Sequence, residues 1–308
     1  KQLLNQRKLT TPRHYAHLKI SEGCNRKCSF CAIPQMRGKH ISKKIEDILD
    51  EASELAKKGI KEILLIAQDL SYYGVDIYKK RKLYDLLVEL SKVDGIEWIR
   101  LHYVYPTGFP SNVIELIDKN EKICSYIDMP LQHINDKILK SMRRSTTKKR
   151  TNELIKKIRK SKSNISIRTT VIVGYPGETN EIFNELKSWV MESKFERLGV
   201  FKYSHEEDTH AYNLIDDVDQ EEKQRRYDEI MSIQKDISLS INKNKIGSEI
   251  MVLIDRFENG FYYARTEFDS PEVDNEVIIR NAEFLRVGSF TKVKIVDANY
   301  YDLFAEII

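Results

Sequence analysis

Over the first two thirds of the chain, two hydrophobic periods take turns. Short apolar runs rich in β-branched residues predict strands at 17–21, 62–67, 98–102, 126–129, 166–173 and 198–203. Between them, apolar positions recur three and four residues apart and predict helices at 44–58, 83–92, 112–119, 136–142 with 149–161, and 180–192. In the first of these, Ile45, Ile48, Leu49, Ala52 and Leu55 share one face, and Gly59 ends the pattern. Alternating β and α units imply a parallel sheet with right-handed crossovers. Six such units suit an open (β/α)6 partial barrel better than a closed eightfold one. A long charged helix is expected over 219–243, as an outer helix or a connector.

The pattern then changes to strands alone: EIMVLIDRF, GFYYARTEF, NEVIIR, FTKVKIVDAN and LFAEII. Turn signals at Asn259-Gly260, Ser270-Pro271 and Val287-Gly288-Ser289 separate them. Short strands at this spacing predict a small all-β barrel. The chain divides accordingly into a linker over 1–12, an α/β domain over 13–242 and a β domain over 243–308. The start, KQLLNQRKLTTPRH, has no apolar core of a signal peptide, and the longest aliphatic run, 63–67, is far too short to cross a bilayer. A cytoplasmic protein is expected. A first residue other than Met suggests a fragment or processed form.

With 41% hydrophobic and 32% charged residues, the composition is that of a folded protein. Its four cysteines make no disulfide framework. Cys124, in KICSYIDMP, reads as a small buried hydrophobe. Cys24, Cys28 and Cys31 crowd the loop after the first strand, where parallel α/β folds place their ligand sites. Three thiolates can hold a cubane cluster and leave one iron open to a small molecule. A zinc ion with His14, His17 or His40 as fourth ligand satisfies the same residues, although zinc cysteines more often come as two separated C-x2-C pairs. On spacing alone both stay open.

Other strand ends carry candidate polar groups. AQDLSYYG brings Gln68, Asp69 and Ser71, the last two also plausible helix caps. MPLQH brings Gln132 and His133 to the same mouth. VIVGYPGET runs a strand into a tight turn, where Gly174 and Gly177 permit close backbone approach and Glu178 opens a helix; Arg168 and Thr170 precede it. Lys19 and Glu22 belong to the first strand region, and Lys19, Arg37 and Lys202 are candidate partners for a carboxylate at the mouth. No side chain assisting proton transfer can be named.

The spacing C-x3-C-x-aromatic-C, with Phe30 before the last cysteine, resembles the signature of radical S-adenosylmethionine (SAM) enzymes. TPRHYAHLKISEGCNRKCSFCAIPQMRGK, LLIAQDLSYYGVD, IDMPLQHINDKILKSMRR, VGYPGET and GVFKYSHEEDT together resemble the methylthiotransferases, most of all the RimO type, and the closing segment is similar to a TRAM domain. The resemblance implies a radical SAM barrel with a 4Fe–4S cluster on Cys24, Cys28 and Cys31. It implies SAM on the open iron, cleaved by one electron to methionine and a 5′-deoxyadenosyl radical that abstracts hydrogen. Phe30, Gln68, Asp69, Ser71, Arg168, Gly174, Gly177 and Glu178 are then expected around SAM, with Lys19, Gln132, His133 and Lys202 at the substrate mouth. The implied reaction places a methylthio group on the β-carbon of an aspartate in small-subunit ribosomal protein S-twelve (uS12), with flavodoxin or ferredoxin as electron donor. Full-length members carry an N-terminal domain whose three further cysteines hold a second 4Fe–4S cluster. Nothing here corresponds to it, so this chain is expected to bind one cluster and SAM without completing methylthiolation.

Charge bears on the partner. The net charge is +4, yet residues 243–308 hold 8 Lys and Arg against 12 Asp and Glu, leaving 43 against 35 in the rest. An RNA-gripping domain should be basic. An acidic barrel, with Glu267, Asp269, Glu272, Asp274 and Glu276 in one stretch, is expected to dock a basic ribosomal protein. The bland reading is a solvated acidic face. The alternatives are a tRNA methylthiotransferase acting on an adenosine beside the anticodon, and a zinc-stabilised RNA-binding module without catalysis. Arg143-Arg144 and Lys148-Lys149-Arg150 keep RNA contact open, but a zinc module leaves the β/α units and their Gly-rich turn unexplained.

Overall fold

The structure is a computed structural model that describes residues 8–280 and 284–308; residues 1–7 of the expected linker lie outside the described residues. Strand β1 (Tyr15–Lys19) leads to a short antiparallel pair, β2 (Ser21–Glu22) and β3 (Ile41–Ser42), which brackets α1 (Ile33–Arg37). Then follow α2 (Ile45–Lys57), β4 (Glu62–Ile66), α3 (Val75–Tyr78), α4 (Leu83–Leu90), β5 (Trp98–Leu101), α5 (Asn112–Ile117) and β6 (Ile123–Asp128). The α/β part ends with α6 (Asp136–Ser141), α7 (Lys148–Arg159), β7 (Ser166–Val173), α8 (Asn180–Ser193), β8 (Arg197–Lys202) and α9 (Gln220–Lys243).

Six strands form one parallel sheet in the order β1-β4-β5-β6-β7-β8, the open partial barrel expected from alternating units. Ile48, Ala52 and Leu55 of α2 and Leu83, Leu86, Leu87 and Leu90 of α4 are buried with Ile63 and Leu65 of β4. Each such aliphatic side chain removed from water contributes roughly 1.5–3 kcal/mol. Among the described residues, no helix is long and apolar enough to cross a membrane.

The tail forms a closed barrel of β9 (Glu249–Glu258), β10 (Phe261–Thr266), β11 (Val277–Ile279), β12 (Phe290–Ala298) and β13 (Leu303–Ile307), ordered β10-β11-β13-β12-β9. Alternate residues, among them Val252, Ile254, Tyr262, Ala264, Val293 and Ile295, fill its interior. The β9–β10 turn places Asn259 and Gly260 at φ 51° and 82°, the left-handed pair a two-residue hairpin requires.

Much of the acidic stretch between β10 and β11 is turned toward the sheet rather than outward. Glu267, Asp269 and Asp274 pack across β5–β8, whereas Glu272 is exposed beside β1 and Glu276 stays within the tail. The carbonyl of Glu267 accepts from Arg100 Nη1 (2.6 Å), and its carboxylate accepts from the Ser125 amide (3.1 Å). Asp269 is buried against Arg197 (Nε 3.0 Å). Asp274 accepts from Tyr126 (2.8 Å) and pairs with Arg168 (3.3 Å), and Glu272 accepts from Tyr15 (2.8 Å). Glu276 pairs with Arg256 of β9 on the barrel surface (2.9 Å). A second buried chain joins the two parts: Arg100 to Glu62 (2.7 Å), Glu62 to Arg265 (2.8 Å), Arg265 to Asp255 (2.5 Å) and Asp255 to His14 (2.8 Å). Part of the charge asymmetry read from the sequence is thus internal complementarity between the sheet and the tail barrel, while Glu249, Glu258, Glu272, Asp297 and Glu306 stay exposed.

Candidate functional site

The loop between β2 and β3 is closed at its neck by the Cys24 amide on the Gly38 carbonyl (3.1 Å). Gly23 sits there at φ 76°, where an added Cβ would lie 2.2 Å from the Lys39 carbonyl oxygen, so only glycine fits. Within the loop, the Cys31 amide bonds the Cys28 carbonyl (3.2 Å), and the Ser29 hydroxyl meets the Tyr175 hydroxyl (2.8 Å). These ties bring Cys24, Cys28 and Cys31 to one wall of a cavity of about 580 Å³. That volume suits a cofactor-sized molecule.

Around the thiols the lining is mostly apolar, from Phe30, Ile33, Pro34, Val104, Ile172 and Phe201. Gln68 and Gln132 also line it, and the side-chain carbonyl oxygen of each is buried without a partner. Gln132 and Tyr103, both in the lining, hold φ 73° and 61°, strained for residues with side chains. Burial pushes the Cys24 and Cys31 thiols up, Cys24 against the opposing Arg26 amide, which donates to its sulfur (3.4 Å).

These features fit a 4Fe–4S cluster with SAM. Three thiols, a cofactor-sized chamber and two orphaned acceptors suit a ligand that brings irons and polar hydrogens. Among the described residues, no three His, Cys, Asp or Glu side chains converge on one ion; a cluster needs its thiolates spread over separate irons. None of the proposed zinc histidines lines the cavity. His14 bonds Asp255, His40 bonds Ser42 (3.0 Å), and His17 lines an adjoining cavity.

The other expected site residues divide. Phe30, Gln68, Gln132 and Thr170 line the cavity. Asp69 and Ser71 do not: both are buried, Ser71 donates to Asp69 (2.5 Å), and Asp69 holds Arg26 (2.8 Å) rather than capping a helix. Gly174, Gly177, Glu178 and His133 also stand off it. The Asn135 amide donates to His133 Nδ1 (2.9 Å), so Nε2 carries the proton and donates to Glu178 (3.2 Å). Glu178 further accepts from Arg226 (2.9 Å) and the Gly174 amide, a buried bracket behind the wall. Gly174 faces Lys223, whose Cγ would lie 2.3 Å from an added Cβ; Gly177 donates to Asp217 (2.8 Å). Lys19 and Arg168 line the adjoining cavity of about 340 Å³ together with residues 270–273 of the β10–β11 connection. Lys19 pairs with Glu22 (2.7 Å) and Arg168 with Asp128 (3.3 Å). Lys202 turns outward to Gln224 (2.8 Å), and Arg37 ends α1, exposed.

Three residues escaped the sequence reading. The Tyr105 ring lies between two guanidinium groups, Arg26 at 3.9 Å and Arg144 at 4.0 Å from its centre. All three line the cysteine cavity. The SMRR run, met only as basic charge, was the one signal for Arg144.

Comparisons with known proteins agree with this geometry. The radical SAM superfamily profile matches residues 18–190, and the TRAM domain profile residues 246–308. The chain is 57% identical over 306 residues to the ribosomal protein uS12 methylthiotransferase RimO of Christiangramia forsetii, covering 99% of this chain and 68% of that protein. It is 56% identical to the protein of the same name from Flavobacterium johnsoniae, covering 99% and 70%. In fold it is similar to the radical SAM methyltransferase TsrM from Kitasatospora setae, solved with cobalamin and a [4Fe–4S] cluster. That match has a TM-score of 0.52 and 16% identity, over 81% of this chain and 42% of that one. The chain belongs to the radical SAM superfamily and, within it, to the RimO methylthiotransferase family.

Proposed function

We propose that this chain is the cluster- and SAM-binding part of an enzyme that methylthiolates the β-carbon of an aspartate in ribosomal protein uS12. The observation that carries the reading is the convergence of Cys24, Cys28 and Cys31 on one apolar chamber with two unpartnered acceptors. Similarity to relatives of that name along nearly the whole chain supports the substrate. When bound, the cluster and SAM supply one-electron chemistry able to activate an aliphatic C–H bond.

The chain's own residues would do the following. Cys24, Cys28 and Cys31 would supply the three thiolates that hold the cluster. Phe30, Ile33, Pro34 and Ile172 exclude water from the chamber. The side-chain oxygens of Gln68 and Gln132 accept from donor groups of SAM. Glu178, Gly174 and Gly177 act indirectly, by shaping the turn after β7. The substrate side chain approaches from the adjoining cavity that holds Lys19 and Arg168. Residues 13–242 and 243–308 are the proposed units of this machinery. A second 4Fe–4S cluster would draw on cysteines beyond these 308 residues, since Cys124 is buried in the core. A flavodoxin or ferredoxin in the cytoplasm is the proposed electron source.

Because Glu267, Asp269 and Asp274 are engaged with the sheet, the acidic stretch argues less for a protein substrate over RNA, and that choice rests on the relatives. Binding of the reconstituted chain to uS12 and to an anticodon stem-loop tests it. Selective retention of uS12 is expected. Selective retention of the stem-loop would transfer the assignment to tRNA.

A further inference from the structure

Arg144 is 7% exposed, and its partners among the described residues are the Pro130 carbonyl (2.6 Å), the face of Tyr105 and the sulfur of Cys28 (Nη1 3.5 Å). None is a carboxylate, and its Nε is buried without a partner. Its counterpart across the Tyr105 ring differs: Arg26 is neutralised by Asp69 at 2.8 Å. A buried cation without a counter-ion is costly, and fixed packing on an aromatic face does not remove that cost. A neutral thiol at Cys28 would leave the charge uncompensated, whereas a metal-bound thiolate compensates it.

We propose that Arg144 is a positioning residue that tunes the cluster. Its guanidinium, held against Cys28 by Tyr105 and Pro130, is the counter-charge that raises the cluster's reduction potential. Adding an electron makes a cluster more negative, so a fixed neighbouring cation stabilises the reduced form, and hydrogen bonds to the sulfurs act in the same direction. The effect falls on acceptance of the electron from the external donor. The inference rests on the cluster reading above, and the test separates the two.

The test is an anaerobic redox titration of the reconstituted chain, followed by electron paramagnetic resonance, in wild type, Arg144→Gln and Arg144→Lys. Iron and sulfide are counted first. If wild type takes up no cluster, the cluster reading itself fails. Given loading, Arg144→Gln is expected to lower the reduced-to-oxidised ratio at fixed ambient potential about tenfold, a shift of about 59 mV for one electron. Arg144→Lys should recover most of it by keeping the charge. Failure of Arg144→Gln to load, with loading restored in Arg144→Lys, would express the same charge requirement. Unchanged potential in Arg144→Gln, equal shifts in both variants, or loss of loading in both would overturn the proposal.

Discussion

At the scale of single residues, the site separates groups that face the cavity from groups that hold its wall. Glu178 is the clearest of the second kind. Its carboxylate, 2% exposed, gathers His133, Arg226 and the Gly174 amide. Replacing it with glutamine leaves Arg226, among the described residues, with Glu222 as its remaining carboxylate partner. Removing one member of a buried ion pair typically costs about 3–5 kcal/mol. Glu178→Gln is therefore expected to lower stability by that order in chemical denaturation; unchanged stability with weakened SAM binding would make Glu178 a ligand-contacting residue instead. The cysteines were legible because their chemistry is local: three thiols in eight residues need no tertiary contact to be noticed. Glu178, His133, Asp69 and Ser71 were placed at the right strand ends, but the partners that engage their side chains were not legible. Their orientation is set by partners far along the chain, Arg226 above all. Tyr105 carries no local signal and Arg144 only that of a basic run, because a guanidinium–ring stack brings together residues 39 apart.

At the scale of elements, period carried most of the fold. Strand β7 was read at its observed bounds, and the six parallel strands appear in chain order. Strand β6 begins at Ile123 rather than 126, since a strand buried on both faces gives a continuous apolar run with no alternation to mark its start. The pair β2–β3 was only partly visible. Two-residue strands have no period, yet they set the neck of the cysteine loop. Helix α9 was expected as an outer helix or a connector and is both. Near its start, Lys223 and Arg226 reach the turn after β7; near its end, Ser238 donates to the Tyr300 carbonyl (2.7 Å) and Asn242 to that of Asn299 (3.1 Å). One helix thus fixes both the wall of the site and the seat of the tail barrel. The backbone strain at Tyr103 and Gln132 could not be read from residue types, because left-handed conformations there are imposed by packing at the strand ends.

At the scale of the molecule, charge is spent on joining the two parts. Burial works to raise the carboxyls of Glu62, Asp255 and Asp269, but their arginine neighbours, with His14 at Asp255, outweigh it and hold all three below the usual range. Their contribution to stability is present above the unfolded carboxyl value of about 4 and is lost as pH falls through the depressed folded values. Asp274 runs the other way: burial raises its carboxyl despite Arg197 and Arg168, so its cost at neutral pH is relieved on acidification. Thermal unfolding should therefore change little, or improve slightly, as pH drops from 7 to about 5, and fall steeply below about 4. A steady decline from pH 7 would mean that the interface carboxylates are not held as described. The central claim is that three cysteines on one loop hold a redox cluster beside a SAM chamber. Iron and sulfide analysis after anaerobic reconstitution, on wild type and on Cys28→Ala, tests it most directly. One 4Fe–4S cluster per chain, lost in the variant, is the expected result. Stoichiometric zinc without iron, or full cluster loading in the variant, would contradict it.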